Sequence, residues 1–291
     1  MPRSVSPLRY PGGKTCLHPI LSQFLRLNSL QRGHYAEPYA GGCGLALALL
    51  FDGHVHELHL NDFDPGIWSF WHAVLQETDE LCSRIRSVSV TVEEWHRQRE
   101  IERNAQEEDP LNLAFATFFL NRTNRSGIIK GGGIIGGLDQ NGKYKIDCRF
   151  NKNVLIEKIQ RIAKYREQIH LTNLDAIDFV ARTDRDLPER ALFCIDPPYF
   201  KKGSALYTSF YKTEDHAIVS DAVAAIRHAW ILTYDNVPEI SSLYTNFRQF
   251  TFDVKYSVQT KRVGTELMVV SDDLDIPSSV QRNSKFLQNA A

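Results

Sequence analysis

The chain has 291 residues, of which 43% are hydrophobic and 24% charged, a balance ordinary for a soluble globular protein with room for a substantial core. Its formal net charge of −1 excludes a global attraction to nucleic acid, so any such role must rest on a local patch. Five scattered cysteines, without a C-x-x-C pair or a histidine at ligand spacing, argue against a disulfide framework or structural zinc, and the absence of an apolar run of about 18 residues predicts a soluble, cytoplasmic protein with no membrane partner.

The first expected strand is His34–Tyr39, followed by the turn Ala40-Gly41-Gly42-Cys43-Gly44 and a helix over Gly44–Phe51. Glycines after a strand let backbone approach a ligand closely and aim a helix N-terminus at it; the same turn also serves as a plain tight connection. The second strand, Glu57–Leu60, runs into Asn61-Asp62-Phe63-Asp64 and a helix over Gly66–Gln76. An acidic residue there either accepts from ribose hydroxyls or caps the helix.

About a hundred residues then separate the second strand from the third, Gln168–Leu174, far more than one βα connection needs. This interval contains helical patterns at Glu93–Arg103, Leu111–Leu120 and Val154–Arg166, and a turn-rich stretch in which Asn141-Gly142 predicts a β-hairpin. Eleven basic residues face four acidic ones between Asn121 and His170, a local charge of +7. That is either a solvated face or a surface for phosphates. Residues 85–167 are therefore expected to form an inserted, mainly helical subdomain, with 1–84 and 168–275 as a discontinuous core and 276–291 as a flexible tail. Three further strands, Ala191–Ile195, Ala229–Thr233 and Glu266–Val270, and a helix over Asp215–Arg227 complete an α/β pattern around a largely parallel sheet.

The most specific motif ends the fourth strand. In Asp196-Pro197-Pro198-Tyr199 two residues of fixed φ stiffen the loop, which can offer the Asp196 carboxylate and the Pro197 carbonyl as acceptors and the Tyr199 ring as a flat wall. The exocyclic amine of a heteroaromatic base requires two acceptors for its two hydrogens and a wall for its ring.

These motifs, in this order, resemble those of the Dam-like, D12-class family of adenine-N6 DNA methyltransferases. The matching segments are LRYPGGK (Leu8–Lys14), AEPYAGG (Ala36–Gly42), LNDFD (Leu60–Asp64), FFLNRT (Phe118–Thr123), IDPPY (Ile195–Tyr199), LTYDN (Leu232–Asn236) and GTELMVV (Gly264–Val270). The resemblance implies a Rossmann-like methyltransferase sheet with an inserted target-recognition subdomain, and S-adenosylmethionine as methyl donor with no metal. It implies cofactor contacts at Tyr10, Lys14, Glu37, Tyr39, Gly41, Gly42, Asp62 and Asp196, with Asp175 beside the adenine and Asp178 as its rival. The partner implied is double-stranded DNA, with a cognate restriction endonuclease as a further candidate partner and a bacterial or phage origin. Arg122, Asn124, Arg125, Lys130 and Lys143 are the residues expected to touch DNA. The stretch from Arg125 through Gly137 departs from the GATC-reading branch, so that site is not expected. An N4-cytosine methyltransferase, a nicotinamide or flavin enzyme, and a catalytically silent DNA-binding relative are the competing readings.

Overall fold

The computed structural model describes residues 5–10, 12–200, 211–256 and 262–283. Pro11 of the N-terminal motif and the tail beyond Asn283 lie outside them. Strands β1 (His34–Glu37), β2 (Glu57–Asn61), β3 (Ile169–Thr172), β4 (Ala191–Ile195), β5 (Ala229–Asp235), β6 (Arg248–Tyr256) and β7 (Arg262–Val270) make one sheet in the order β3-β2-β1-β4-β5-β7-β6. The first five run parallel; β7 lies antiparallel between β5 and β6. All six expected strands are present. The one not expected, β6, carries a period-two signal in its own sequence, where Phe250, Phe252 and Val254 alternate with polar residues.

Both faces of the sheet are covered, which is why the parallel strands read as continuous apolar runs. Along β4, Leu192 and Cys194 enter one core cluster, whereas Phe193 and Ile195 enter the other. The longer helices among the described residues are α1 (His18–Leu27), α2 (Gly44–Phe51), α3 (Pro65–Gln76), α4 (Thr78–Ser87), α5 (Val92–Arg103), α6 (Pro110–Thr123), α7 (Lys152–Ala163), α8 (Ala176–Asp186) and α9 (Thr213–Ala224). Leu21 of α1, Leu47 of α2, Phe70 of α3, Phe118 of α6 and Ile159 of α7 belong to the first cluster together with Leu58 and Leu60 of β2. Each such side chain contributes roughly 1.5–3 kcal/mol by leaving water. The long β2–β3 interval is thus built onto the same core as the sheet. Phe179 of α8 and Val219 and Val223 of α9 cover the opposite face.

Two sequence expectations change here. No hairpin forms at Asn141-Gly142: residues 128–149 make turns and a 3-10 turn at Ile146–Arg149, and their one bridge joins Asn124 to Ile134. The Gln140 side chain closes this loop, donating to the Ile135 carbonyl at 2.8 Å and accepting from the Ile146 amide at 2.8 Å, so side-chain bonds stand in for a strand ladder. Part of the expected frayed tail is also ordered as the helix Ser278–Asn283. Val280 is buried in the first cluster, and Ser279 donates to Gln23 of α1 at 2.7 Å.

Candidate active site

Strand order reverses between β1 and β4, and at such a switch point the loops leaving the carboxyl ends of neighbouring strands part to form a crevice. A cavity of about 350 Å³ occupies it. Its walls come from the loop before α1, the ends of β1, β2 and β4, the start of α8, and Gly127–Lys130 of the β2–β3 interval.

One wall is the glycine turn. Gly41 has φ +47°, which disfavours other residues, and a Cβ at Gly41 or Gly42 would lie 2.7 or 2.6 Å from the Tyr10 side chain. Close packing of Tyr10 on the turn therefore demands glycine at both places. Asp62 holds the same turn, accepting from the Gly41 amide at 2.8 Å and the Asp64 amide at 3.0 Å. Burial, and next the Asp64 charge, push its carboxyl up to about 7 against those two amide bonds. The residue pattern alone allows either Asp62 or Asp64 to cap α3, whereas the resemblance implies Asp62 as the cofactor contact; the structure gives the two different partners. Asp64 caps α3, accepting from Gly66 and Ile67 at 2.8 and 3.1 Å, and Asp62 is the one fastened to the glycine turn. Phe63 between them is 61% exposed at the cavity, an aromatic face that the motif contained and the residue-by-residue reading passed over.

The opposite end is built around Asp196. Lys14 Nζ lies 2.6 Å from Asp196 Oδ2, 2.8 Å from the Tyr199 hydroxyl and 2.9 Å from the Gly12 carbonyl. Thr233 donates to the other Asp196 oxygen at 2.8 Å. Burial raises the Asp196 carboxyl above the ordinary carboxylate range, and the Lys14 ammonium opposes that shift. Lys14 is thereby an internal counter-ion, 7% exposed. The LTYDN motif acquires a physical role: Thr233 orients Asp196, Tyr234 packs against Tyr199, and Asp235 accepts from the Phe200 amide at 3.0 Å. Glu266, 1% exposed, accepts from the Tyr199 hydroxyl at 2.7 Å and stands 3.8 Å from Lys14. Its partners Tyr199 and Lys14 are remote in sequence, so the GTELMVV motif alone does not reveal them.

Tyr199 differs from its expected role. Its ring is 3% exposed in the second core cluster, because its hydroxyl is drawn inward by Lys14 and Glu266; Pro198 is the member of the loop that lines the cavity beside Asp196. Phe200 packs at the edge of that cluster, its ring centroid 5.2 Å from that of His216. Glu37, at the end of β1, accepts from Tyr35 at 2.8 Å, and burial pushes it up to about 8, so it is protonated at neutral pH. Tyr39 meets the hydroxyl of Tyr211 at 3.0 Å, and Asp175 caps α8 through the Ile177 amide at 2.8 Å; both line the cavity. Asp178 lies one turn further into α8 and is not part of the wall.

The residues expected to touch DNA fall into different groups. Asn124 is fully buried: it accepts from the Trp95 indole at 2.7 Å and donates to the Ile128 and Ile129 carbonyls at 2.7 and 3.1 Å, so its amide organises the loop instead of facing solvent. Arg122 spends its guanidinium on the Arg149 carbonyl at 2.7 Å and the Pro7 carbonyl at 3.3 Å. Lys130 lines the cavity and pairs with Asp64 at 2.8 Å. Arg125 and Lys143 are exposed. The residue that sequence reasoning missed is Asn121, fully buried in α6, which accepts from the Arg9 amide at 2.8 Å and donates to the Arg9 and Gly127 carbonyls at 3.1 and 2.9 Å. It clamps the N-terminal motif to the cavity wall made by Gly127–Lys130.

The arrangement offers an acceptor carboxylate fixed by two donors, next to a cavity with a glycine cradle, aromatic faces and further carboxyls. Its size is within the range of about 300–1,000 Å³ that holds small ligands. A model of the D12 class N6 adenine-specific DNA methyltransferase family matches residues 10–258. Among solved structures, one described as "a putative RNA methyltransferase" from Pyrococcus horikoshii shares 11% identity, with a TM-score of 0.42 over 90% of this chain and 84% of that one. No curated protein matches the chain.

Proposed function

The chain belongs to the D12 class N6 adenine-specific DNA methyltransferase family, and on that premise we propose that its cavity holds the methyl donor while the Asp196 end receives an adenine turned out of the DNA duplex. The reaction is methylation of adenine N6 in DNA, and the family implies use of S-adenosylmethionine. The residues present fit that group: Tyr10 and the Gly41-Gly42 turn allow close approach, Asp62 suits hydroxyl groups, Phe63 and Tyr39 offer aromatic faces, and Asp175 lies at the far wall. Bound there, S-adenosylmethionine supplies an electrophilic methyl group on a sulfonium.

The chain's own contribution is to aim the amine. The N6 nitrogen of adenine is a weak nucleophile because its lone pair is delocalised into the ring. Asp196 and the Pro197 carbonyl accept its two hydrogens, which draws the lone pair out of the ring π system and localises it on nitrogen, facing the methyl group. An ionised carboxylate has about four acceptor directions, so bonds from Lys14 and Thr233 leave Asp196 capacity for the amine. Pro198 and the stiff loop fix the acceptor pair before substrate arrives, and Tyr199 braces the loop from below through Lys14 and Glu266. Residues 1–84 and 168–275 carry this chemistry in our reading, and residues 85–167 carry target recognition. The basic segment from Asn121 to His170 contacts phosphates, with Arg125 and Lys143 among its exposed cations.

The observation that carries the proposal is the Lys14–Asp196–Thr233 constellation at the cavity wall. An Asp196→Asn variant keeps the size of the group and a carbonyl for Lys14. Its methyl transfer is expected to fall by about 100-fold or more, the scale of losing one preorganised polar partner, while gel-shift affinity for DNA stays close to that of the parent. Unchanged turnover would remove Asp196 from the mechanism.

A further inference from the structure

A second cluster of chemically capable side chains lies on strands β1–β3, outside the cavity walls. His34 opens β1, Glu57 and His59 lie on β2, and His170 lies on β3; the register sets His34 beside Glu57 and His59 beside His170. Side chains alternate along a strand, so Leu58 and Leu60, which enter the first core cluster, send Glu57 and His59 to the other face. There His34 Nδ1 lies 2.9 Å from His59 Nε2 and 3.7 Å from Glu57 Oε2, and His170 Nε2 lies 2.8 Å from the same carboxylate oxygen. The His34 and Glu57 side chains are 23% and 28% exposed, open enough for an ion to enter from solvent.

Two imidazole nitrogens share a hydrogen bond at 2.9 Å with a carboxylate oxygen alongside, and loss of the shared proton would leave both as ligands to one ion. A tetrahedral ion with metal–ligand bonds of about 2.0–2.1 Å separates neighbouring ligand atoms by roughly 3.3 Å. The separations of 2.9 and 3.7 Å lie on either side of that edge length.

We propose that His34, Glu57 and His59 bind one divalent transition-metal ion of the zinc class. His170 orients the Glu57 carboxylate, as outer partners of metal ligands do, and solvent completes the coordination. His34 is distant in sequence from Glu57 and His59, and parallel pairing of β1 with β2 brings the three together. An ion here would tie β1 to β2 and, through His170, hold β3 at the sheet edge. Its role is to stabilise the fold, separate from the methyl-transfer chemistry. His18, Asp52 and His54 form another such group among the described residues, but Asp52 has a side-chain exposure of 57%, which favours the β1–β2 group.

The test uses the full chain, stripped with chelator and dialysed, then titrated with zinc chloride alone by calorimetry, with Tm recorded in parallel. The parent and a His18→Ala/His54→Ala variant are expected to bind one Zn²⁺ with micromolar or tighter Kd, with Tm rising by about 3 °C or more. A His34→Ala/His59→Ala variant is expected to bind at least tenfold more weakly and to lose the Tm rise. If circular dichroism shows that the double variant does not fold, His59→Gln, which keeps a polar side chain of similar length, takes its place with the same expectation. Absence of saturable zinc binding by the parent overturns the proposal, as does undiminished binding by the β1–β2 variants.

Discussion

Asp196 must remain an acceptor in surroundings that oppose its charge, and the solution lies in its neighbours. Burial raises its pKa, the Lys14 ammonium at 2.6 Å counters that, and Thr233 binds the second oxygen. Glu37, at the end of the neighbouring strand β1, is raised by burial as well. Its bonded partner is the neutral Tyr35 hydroxyl, and it is pushed from 4.5 up to about 8. An acid whose folded pKa exceeds its unfolded value binds more protons in the folded state. Its contribution to stability is therefore present below about pH 4.5 and is lost as pH rises towards about 8. Replacing Glu37 with Gln removes that loss, an effect of a few kcal/mol at most. Thermal unfolding between pH 5 and pH 9 should give a flatter Tm profile for Glu37→Gln than for the parent, with the remaining slope coming in part from Asp62, which is raised to about 7. Identical slopes would contradict a protonated Glu37.

At the scale of elements, the segment from α6 to α7 joins the cavity to the basic surface. Gly127 at φ +77° passes so close to Arg9 that a Cβ would meet the Arg9 carbonyl at 2.0 Å, and Asn121 bonds both segments. If exposed Arg125 and Lys143 each contact a phosphate, their double replacement by Gln reduces the slope of log affinity against log salt by about 2 for duplex DNA. DNA titrations at several salt concentrations read this directly, and an unaltered slope would place the phosphate contacts elsewhere. Much of this architecture was legible in the sequence: five strands leaving on carboxyl edges, the Gly41-Gly42 turn and the stiff Asp196 loop are local signals. Three things were not legible. Asn141-Gly142 carries a hairpin signal, but Gln140 satisfies the loop with side-chain bonds. Asn124 reads as a polar residue in a basic stretch, yet Trp95 and two carbonyls bury it. Tyr199 reads as an open wall, but Lys14 and Glu266, distant in sequence, turn its hydroxyl inward. In each case a partner remote in sequence or a loop-specific bond decides the outcome.

For the molecule as a whole, the proposed DNA contact rests on the local +7 between Asn121 and His170 in a chain that is near neutral overall. Phe150 and Ile159 of that segment pack in the same cluster as Leu192 and Cys194 of β4, the strand that leads into the Asp196 loop. In the proposed reading this packing would join target recognition to the chemistry, and Gly127–Lys130 line the cavity. The central claim is that the exocyclic amine presented at Asp196 belongs to adenine. The most direct measurement is mass spectrometry of nucleosides from unmodified DNA incubated with the purified protein and S-adenosylmethionine. The expected product is N6-methyl-2′-deoxyadenosine, without methylated cytosine; N4-methyl-2′-deoxycytidine as the sole product would contradict the account.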